Sequence, residues 1–211
     1  MITQDISIQP IDYVNGISSL IYVSVSLLVG IIIMSKYLEY KQRAFLFVGL
    51  TWIGITEPWI PSSLSFLVAL FTGTRGLNLS TYVLIGNIFV PLVLRCWLAA
   101  FTDLMYEGKK KSILIIYAII GVIFEAVFFL QFFSQPELIG VFHYESTQLN
   151  IDIDYQFFVL GYLLFVIATM LITGVLFSRK SLKSNDPVIK LKGKLLFFAF
   201  LCWTIGAILD S

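Results

Sequence analysis

Charge is what this chain has least of. Only 13% of its 211 residues are Asp, Glu, Lys or Arg, against 58% hydrophobic and 16% aromatic, a balance that excludes an ordinary soluble domain. There is one histidine, His143, and there are two cysteines, Cys96 and Cys202, without CxxC spacing. No His/Cys set therefore has the spacing of metal ligands, and both thiols sit in apolar runs as small apolar residues do. GxSxG, HExxH and phosphate-cradling glycine loops are missing, so no catalytic residue and no cofactor is expected. Residues 1 to 16 carry no Lys or Arg, which excludes the basic start of a secretory signal peptide. The basic residues form no nucleic-acid stripe; they fall in three clusters between apolar runs.

Those apolar runs are what the chain does have. Several approach or exceed the roughly 17 to 25 residues that cross a bilayer as a helix. The expected fold is all-α, a polytopic transmembrane helix bundle of one domain, 1–211. Its six spans are read at 17–35, 44–57, 81–105, 113–133, 157–178 and 195–209, with an outer half-helix at 62–72. Twelve of the fourteen Lys and Arg residues fall in loops 36–43, 106–112 and 179–194, and the positive-inside rule makes those loops cytoplasmic and the N-terminus outer. A re-entrant 44–72 would split the clusters between both faces. The chain stops inside an apolar run at Asp210-Ser211, which leads us to expect a seventh span beyond it.

Thirty continuous helical residues from Ala44 would reach about 45 Å, more than a hydrocarbon core of about 30 Å needs. Pro58 and Pro61 in TEPWIP resolve this, since each removes a donor and disfavours helix before it. Ser62 and Ser63 are then expected to cap a short helix from Leu64. On the first span Ser26 and Gly30 lie one turn apart, a close-packing face. The Asn78-Leu79-Ser80 sequon abuts the third span and reads as accidental. Residues 134–156 hold no Lys or Arg, and the alternation in VFHYE and IDIDY allows a small β-hairpin. A cation held there by Glu145, Asp152 and Asp154 competes with a simple solvated loop.

Arg95 is the one basic residue inside an apolar run, and at the centre of a span it costs about 2.5 to 3.5 kcal/mol on insertion scales. It is expected to face the bundle interior and find a partner. Counting about 1.5 Å per residue from the inner boundary puts Glu57 and Glu125 roughly 20 Å deep, Asp210 roughly 22 Å and Arg95 roughly 14 Å. Within the third span Asn87, Pro91, Arg95, Leu98 and Thr102 share a stripe, and Pro91 frees a carbonyl that neighbours must satisfy. Two readings stay open. Either Arg95 pairs with Glu57 or Glu125 to lock the helices, or Glu57, Asn87, Arg95, Glu125 and Asp210 line a cavity for a small ligand or ion beside broken helices. Trp52, Trp59, Trp97 and Trp203 read as interface belts and packing.

The TEPWIP segment, the IGN-x3-P run from Ile85 to Pro91, AFTDL at Ala100, LITGVLF at Leu171 and KLKGK together resemble a group of uncharacterised archaeal multi-pass membrane proteins. The resemblance spans most of the chain. It implies a seven-helix bundle with an outer N-terminus and carries over no functional residue. The expected function is thus a sensory or small-ligand-binding membrane module in a lipid bilayer, working with a signalling partner chain. A small transporter or channel subunit ranks second and a membrane-embedded enzyme third.

Overall fold

The structure is a computed structural model that describes residues 8–144 and 148–209. Helices dominate it: α1 (Pro10–Tyr40), α2 (Arg43–Gly54), α3 (Ile60–Thr72), α4 (Leu79–Asn87), α5 (Val90–Met105), α6 (Lys110–Ser134), α7 (Phe157–Leu182) and α8 (Pro187–Leu209). Five stretches are long and apolar enough to cross a membrane: α1, α2 with α3, α4 with α5, α6, and α7. The sixth expected span, 195–209, falls in α8, whose apolar stretch Gly193–Ala207 is shorter than the other five. Nineteen or so residues is the usual crossing length.

The helices overrun the boundaries expected of them, because lysine and arginine are good helix formers and can carry their charge out along a flexible stem. The basic connections shrink to 41–42, 106–109 and 183–186, so most of loops 36–43 and 179–194 is helix. α1 starts at Pro10 rather than residue 17, with Pro10 in its first turn and the Gln9 N–H donating to Asp12 Oδ2 at 2.8 Å. α8 starts at Pro187 rather than 195, and there the Val188 N–H donates to Asp186 Oδ1 at 2.8 Å. Both starts pair a first-turn proline with an acidic cap, which fits proline's missing donor and the positive end of a helix.

Proline also decides where helices break. α2 stops at Gly54, a 3₁₀ turn covers Glu57–Trp59, and α3 resumes at Ile60. Ser62 and Ser63 therefore lie inside α3 and do not cap it. Ser63 donates back to the Trp59 carbonyl at 3.0 Å, and Ser62 bonds the Tyr82 hydroxyl at 2.6 Å. A second break separates α4 from α5 at Ile88-Phe89, just ahead of Pro91.

α1 lies along α2 and α3, α2 along α5, α5 along α6, and α7 along α8. The α1–α2 seam is close because a Cβ on Gly49 would come within 2.7 Å of the Gly30 carbonyl. Val83, Leu94, Leu98, Phe124, Phe128 and Val159 form the main core, in which Phe124 and Tyr162 stack with centroids 3.8 Å apart.

The expected hairpin forms: β1 (Gly140–Phe142) pairs antiparallel with β2 (Ile153–Tyr155), with Val141 opposite Asp154. Leu149 and Ile151, from the segment between the strands, pack with Phe66 and Ala69 of α3 in a second small core. Hydrogen bonds clamp the same segment from three sides. Asp12 Oδ1 accepts from the Gln148 N–H at 3.1 Å, the Asn150 side chain donates to the Leu77 carbonyl at 2.7 Å, and the Tyr82 hydroxyl donates to the Ile151 carbonyl at 3.1 Å. The N-terminal end of α1, the α3–α4 connection and the start of α7 thus meet at the hairpin end. The opposite end holds the three basic turns, tied by a Lys110–Asp103 ion pair and by Lys180 Nζ donating to the Leu104 carbonyl at 3.1 Å.

Candidate functional site

The two helix breaks are joined to each other. In an unbroken helix the Phe89 N–H would donate one turn back; here it donates to Glu57 Oε1 at 2.6 Å. Backbone groups freed within a membrane need such partners, because lipid offers none. Glu57 is 3% exposed, and its other oxygen, Oε2, is buried without a hydrogen bond among the described residues. Close packing holds the breaks together: a Cβ on Gly54 would strike Val93, and one on Gly121 would meet Pro91 at 3.0 Å.

Asn87 closes α4 on the same level. It is fully buried, its amide donating to the Val83 carbonyl at 2.9 Å and to the Tyr155 hydroxyl at 3.4 Å, while its Oδ1 has no partner among the described residues. Glu125 on α6 is half-buried and near enough to act electrostatically on both Glu57 and Tyr162. Three of the five expected site residues therefore surround the breaks. Asp210 lies outside the described residues.

Arg95 does not join them, and the expectation of a guanidinium paired with Glu57 or Glu125 is corrected. Its side chain is exposed and forms no ion pair among the described residues. The rest of its stripe is covered, with Asn87, Leu98 and Thr102 buried and Pro91 half-buried. Arg95 lies at the edge of that face, beside Leu92, which is 56% exposed. Residue counting fixes the direction of a side chain around a helix and leaves undetermined how far a neighbouring helix extends.

Beside the breaks the fold leaves a chamber of about 530 Å³, within the range of small-molecule sites. One wall is α1, with Asn15, Ser18, Ser19 and Tyr22; the opposite wall is α8, with Cys202, Trp203 and Gly206. Pro58 and Trp59 of the α2–α3 break and Asp152 of the hairpin segment complete it. The Trp59 ring meets Tyr22 edge-on, centroids 5.1 Å apart. Below, a smaller cavity of about 70 Å³ shares Pro58, Trp59, Tyr155, Trp203 and Ala207 with the chamber and continues among Ile55, Val90, Val166 and Met170. A polar chamber thus opens onto an apolar slot.

Two groups in the walls lack partners among the described residues. The Trp203 indole N–H is buried and unbonded. The Asp152 carboxylate makes no ion pair or hydrogen bond, although its backbone carbonyl accepts from the His143 N–H at 3.1 Å. Asp154 is different, bonding His143 Nδ1 at 2.9 Å. Glu145 lies outside the described residues, and among those described no three His, Cys, Asp or Glu side chains gather as metal ligands.

Trp59 and Trp203, expected as belts and packing, also line the chamber; Asp152, weighed with Glu145 and Asp154 for a cation, lines it without them, and Asn15 and Tyr22 carried no expectation as site residues. The i, i+3/i+4 polar run Asn15, Ser18, Ser19, Tyr22 on an otherwise apolar helix was the available signal.

An all-α chain with five membrane-length apolar helices and an internal chamber is the class these observations define. Comparison with known proteins finds no family model, no curated protein and no solved structure that matches the chain.

Proposed function

We propose that this protein is a membrane-embedded module that binds a small ligand in the chamber between α1, the α2–α3 break and α8. The observation that carries this is the chamber itself, about 530 Å³, with a buried indole N–H that has no partner among the described residues and the half-buried Asp152 carboxylate in its walls. Buried polar groups are normally hydrogen-bonded, so the Trp203 indole N–H left open beside a cavity of this size marks a place where a ligand supplies the bond. The basic turns face the cytoplasm by the positive-inside rule, and the hairpin end with the chamber faces outward. Toward the basic end Leu94, Leu98, Phe101 and Thr102 are buried, which favours a one-sided ligand site and hence sensing, read out by a partner chain.

A carrier is the second reading, favoured by one observation: two helix breaks at one level with the carboxylates of Glu57 and Glu125 beside them, as broken-helix transporters use. Labelling decides between these readings. With Cys96 replaced by serine, Cys202 should react in sealed vesicles with a membrane-impermeant maleimide from the hairpin side, and ligand should slow the reaction. Reaction from the basic side as well would favour the carrier. Reaction from that side alone would overturn the orientation.

A further inference from the structure

Resting on the ligand-binding reading, we infer that the chamber takes an amphiphile with a positively charged head group, which enters sideways from the bilayer between α1 and α8. Three observations lead there. The first is the charge of the walls: among the described residues, Asp152 is the sole charged one lining the chamber, and no Lys, Arg or His lines it. An anionic head would meet an uncompensated carboxylate, whereas an ammonium would meet its counter-charge. The second is the aromatic lining. Tyr22, Trp59, Tyr82, Tyr155 and Trp203 all border the chamber, and ring faces attract ammonium and quaternary ammonium groups, more strongly where water is excluded.

The third is the shape of the space and of its mouth. The apolar slot below the chamber has room for a short stretch of hydrocarbon and offers it Ile55, Val90, Val166 and Met170. Ser18 on α1 and Cys202 and Gly206 on α8 line the chamber and are exposed, so the gap between these helices is its side entrance. The entrance is rimmed by apolar side chains, Ile21 on α1 at 60% exposed and Ile205 on α8 at 57%. Apolar side chains on a membrane helix are exposed to lipid, so a ligand dissolved in the bilayer reaches the site without crossing water. The head then settles at Asp152 and the tail follows into the slot.

The experiment uses the full chain in nanodiscs of zwitterionic lipid and follows Trp fluorescence, since Trp59 and Trp203 both line the chamber. Octyltrimethylammonium, octyl sulfate and octanol are titrated in parallel, with tetramethylammonium as the tailless head. Octyltrimethylammonium should give a saturable change that octyl sulfate does not give, and tetramethylammonium should bind more weakly. Asp152→Asn should weaken octyltrimethylammonium binding by roughly tenfold, the scale of one charge-assisted contact. Gly206→Phe should abolish the saturable change while leaving the fold intact, because a Cβ there meets nothing within 4 Å. If octanol or octyl sulfate binds as tightly as the cation, or Asp152→Asn is without effect, the head-group assignment is overturned and the ligand site stands. If no probe gives a change that Gly206→Phe removes, the ligand site falls as well.

Discussion

The carboxylate of Glu57 accepts the backbone N–H of Phe89 at 2.6 Å, so one side chain from the first helix break supplies the bond that the second break lost. Glutamine keeps an oxygen acceptor in that place and leucine does not. Glu57→Gln should therefore fold with near-wild-type stability, whereas Glu57→Leu strands an N–H that lipid cannot satisfy, at a cost of about 1 to 3 kcal/mol. Thermal unfolding in detergent checks this; equal loss in both variants would show that the negative charge, rather than the acceptor, matters.

The α1–α2 seam depends on two glycines. A Cβ on Gly49 would lie 2.3 Å from Met34 Cγ and 2.7 Å from the Gly30 carbonyl, and the second of these is backbone and cannot swing aside. Gly49→Ala should force the helices apart and lower stability by about 1 to 3 kcal/mol, as overpacking does. Gly161→Ala, where a Cβ meets nothing within 4 Å, is the matched control and should be neutral or slightly stabilising. A Gly49→Ala protein that melts with the control would show that the seam is looser than its geometry.

What the sequence made legible was whatever local chemistry decides. The apolar runs gave the helices, TEPWIP and Pro91 located both breaks to within a few residues, and the alternation in VFHYE and IDIDY gave the hairpin. Glu57, Asn87 and Glu125 stood out as polar groups in apolar runs, and they surround the breaks rather than line the chamber. The chamber was not legible, because it is a space between α1 and α8, which are distant in sequence, and its walls include tryptophans that look the same whether they pack or bind. Spacing along one helix says nothing about a gap between two.

Asp12 ties the start of α1 to the hairpin segment, accepting from Gln9 N–H with one oxygen and from Gln148 N–H with the other while itself fully buried. Asp12→Ala removes the acceptor of both donors; Gln9 is exposed and Gln148 half-buried, so water replaces part of the bonding and the loss is about 1 kcal/mol. The loss should be local. Hydrogen exchange at residues 148–156 should quicken while amides in α6 and α7 keep their protection, since segments open in cooperative units. Uniform acceleration would mean that the clamp supports the whole bundle. Asp12→Asn, which keeps one acceptor oxygen, should fall between the wild type and the alanine variant.

Arg95 provides the sharpest contrast with Glu57. Both were expected in one buried layer, yet Glu57 is 3% exposed and bonded across the breaks, while Arg95 lies on an open flank of α5 beside Leu92. Removing a charge that has no partner among the described residues strands nothing there. Arg95→Leu should therefore change stability by no more than about 0.5 kcal/mol, as surface substitutions do, which for a chain of this size is roughly 2 °C or less in melting temperature. Leucine is also easier to insert than arginine at membrane depth, so the yield of membrane-inserted protein should rise rather than fall. A melting temperature lowered by about 5 °C or more would mean that the guanidinium makes a contact in the bilayer, with a lipid phosphate or a partner's carboxylate. Arg95→Lys separates the two: it should restore stability if a point charge suffices for lipid, and fail to restore it if a bidentate carboxylate pair is required.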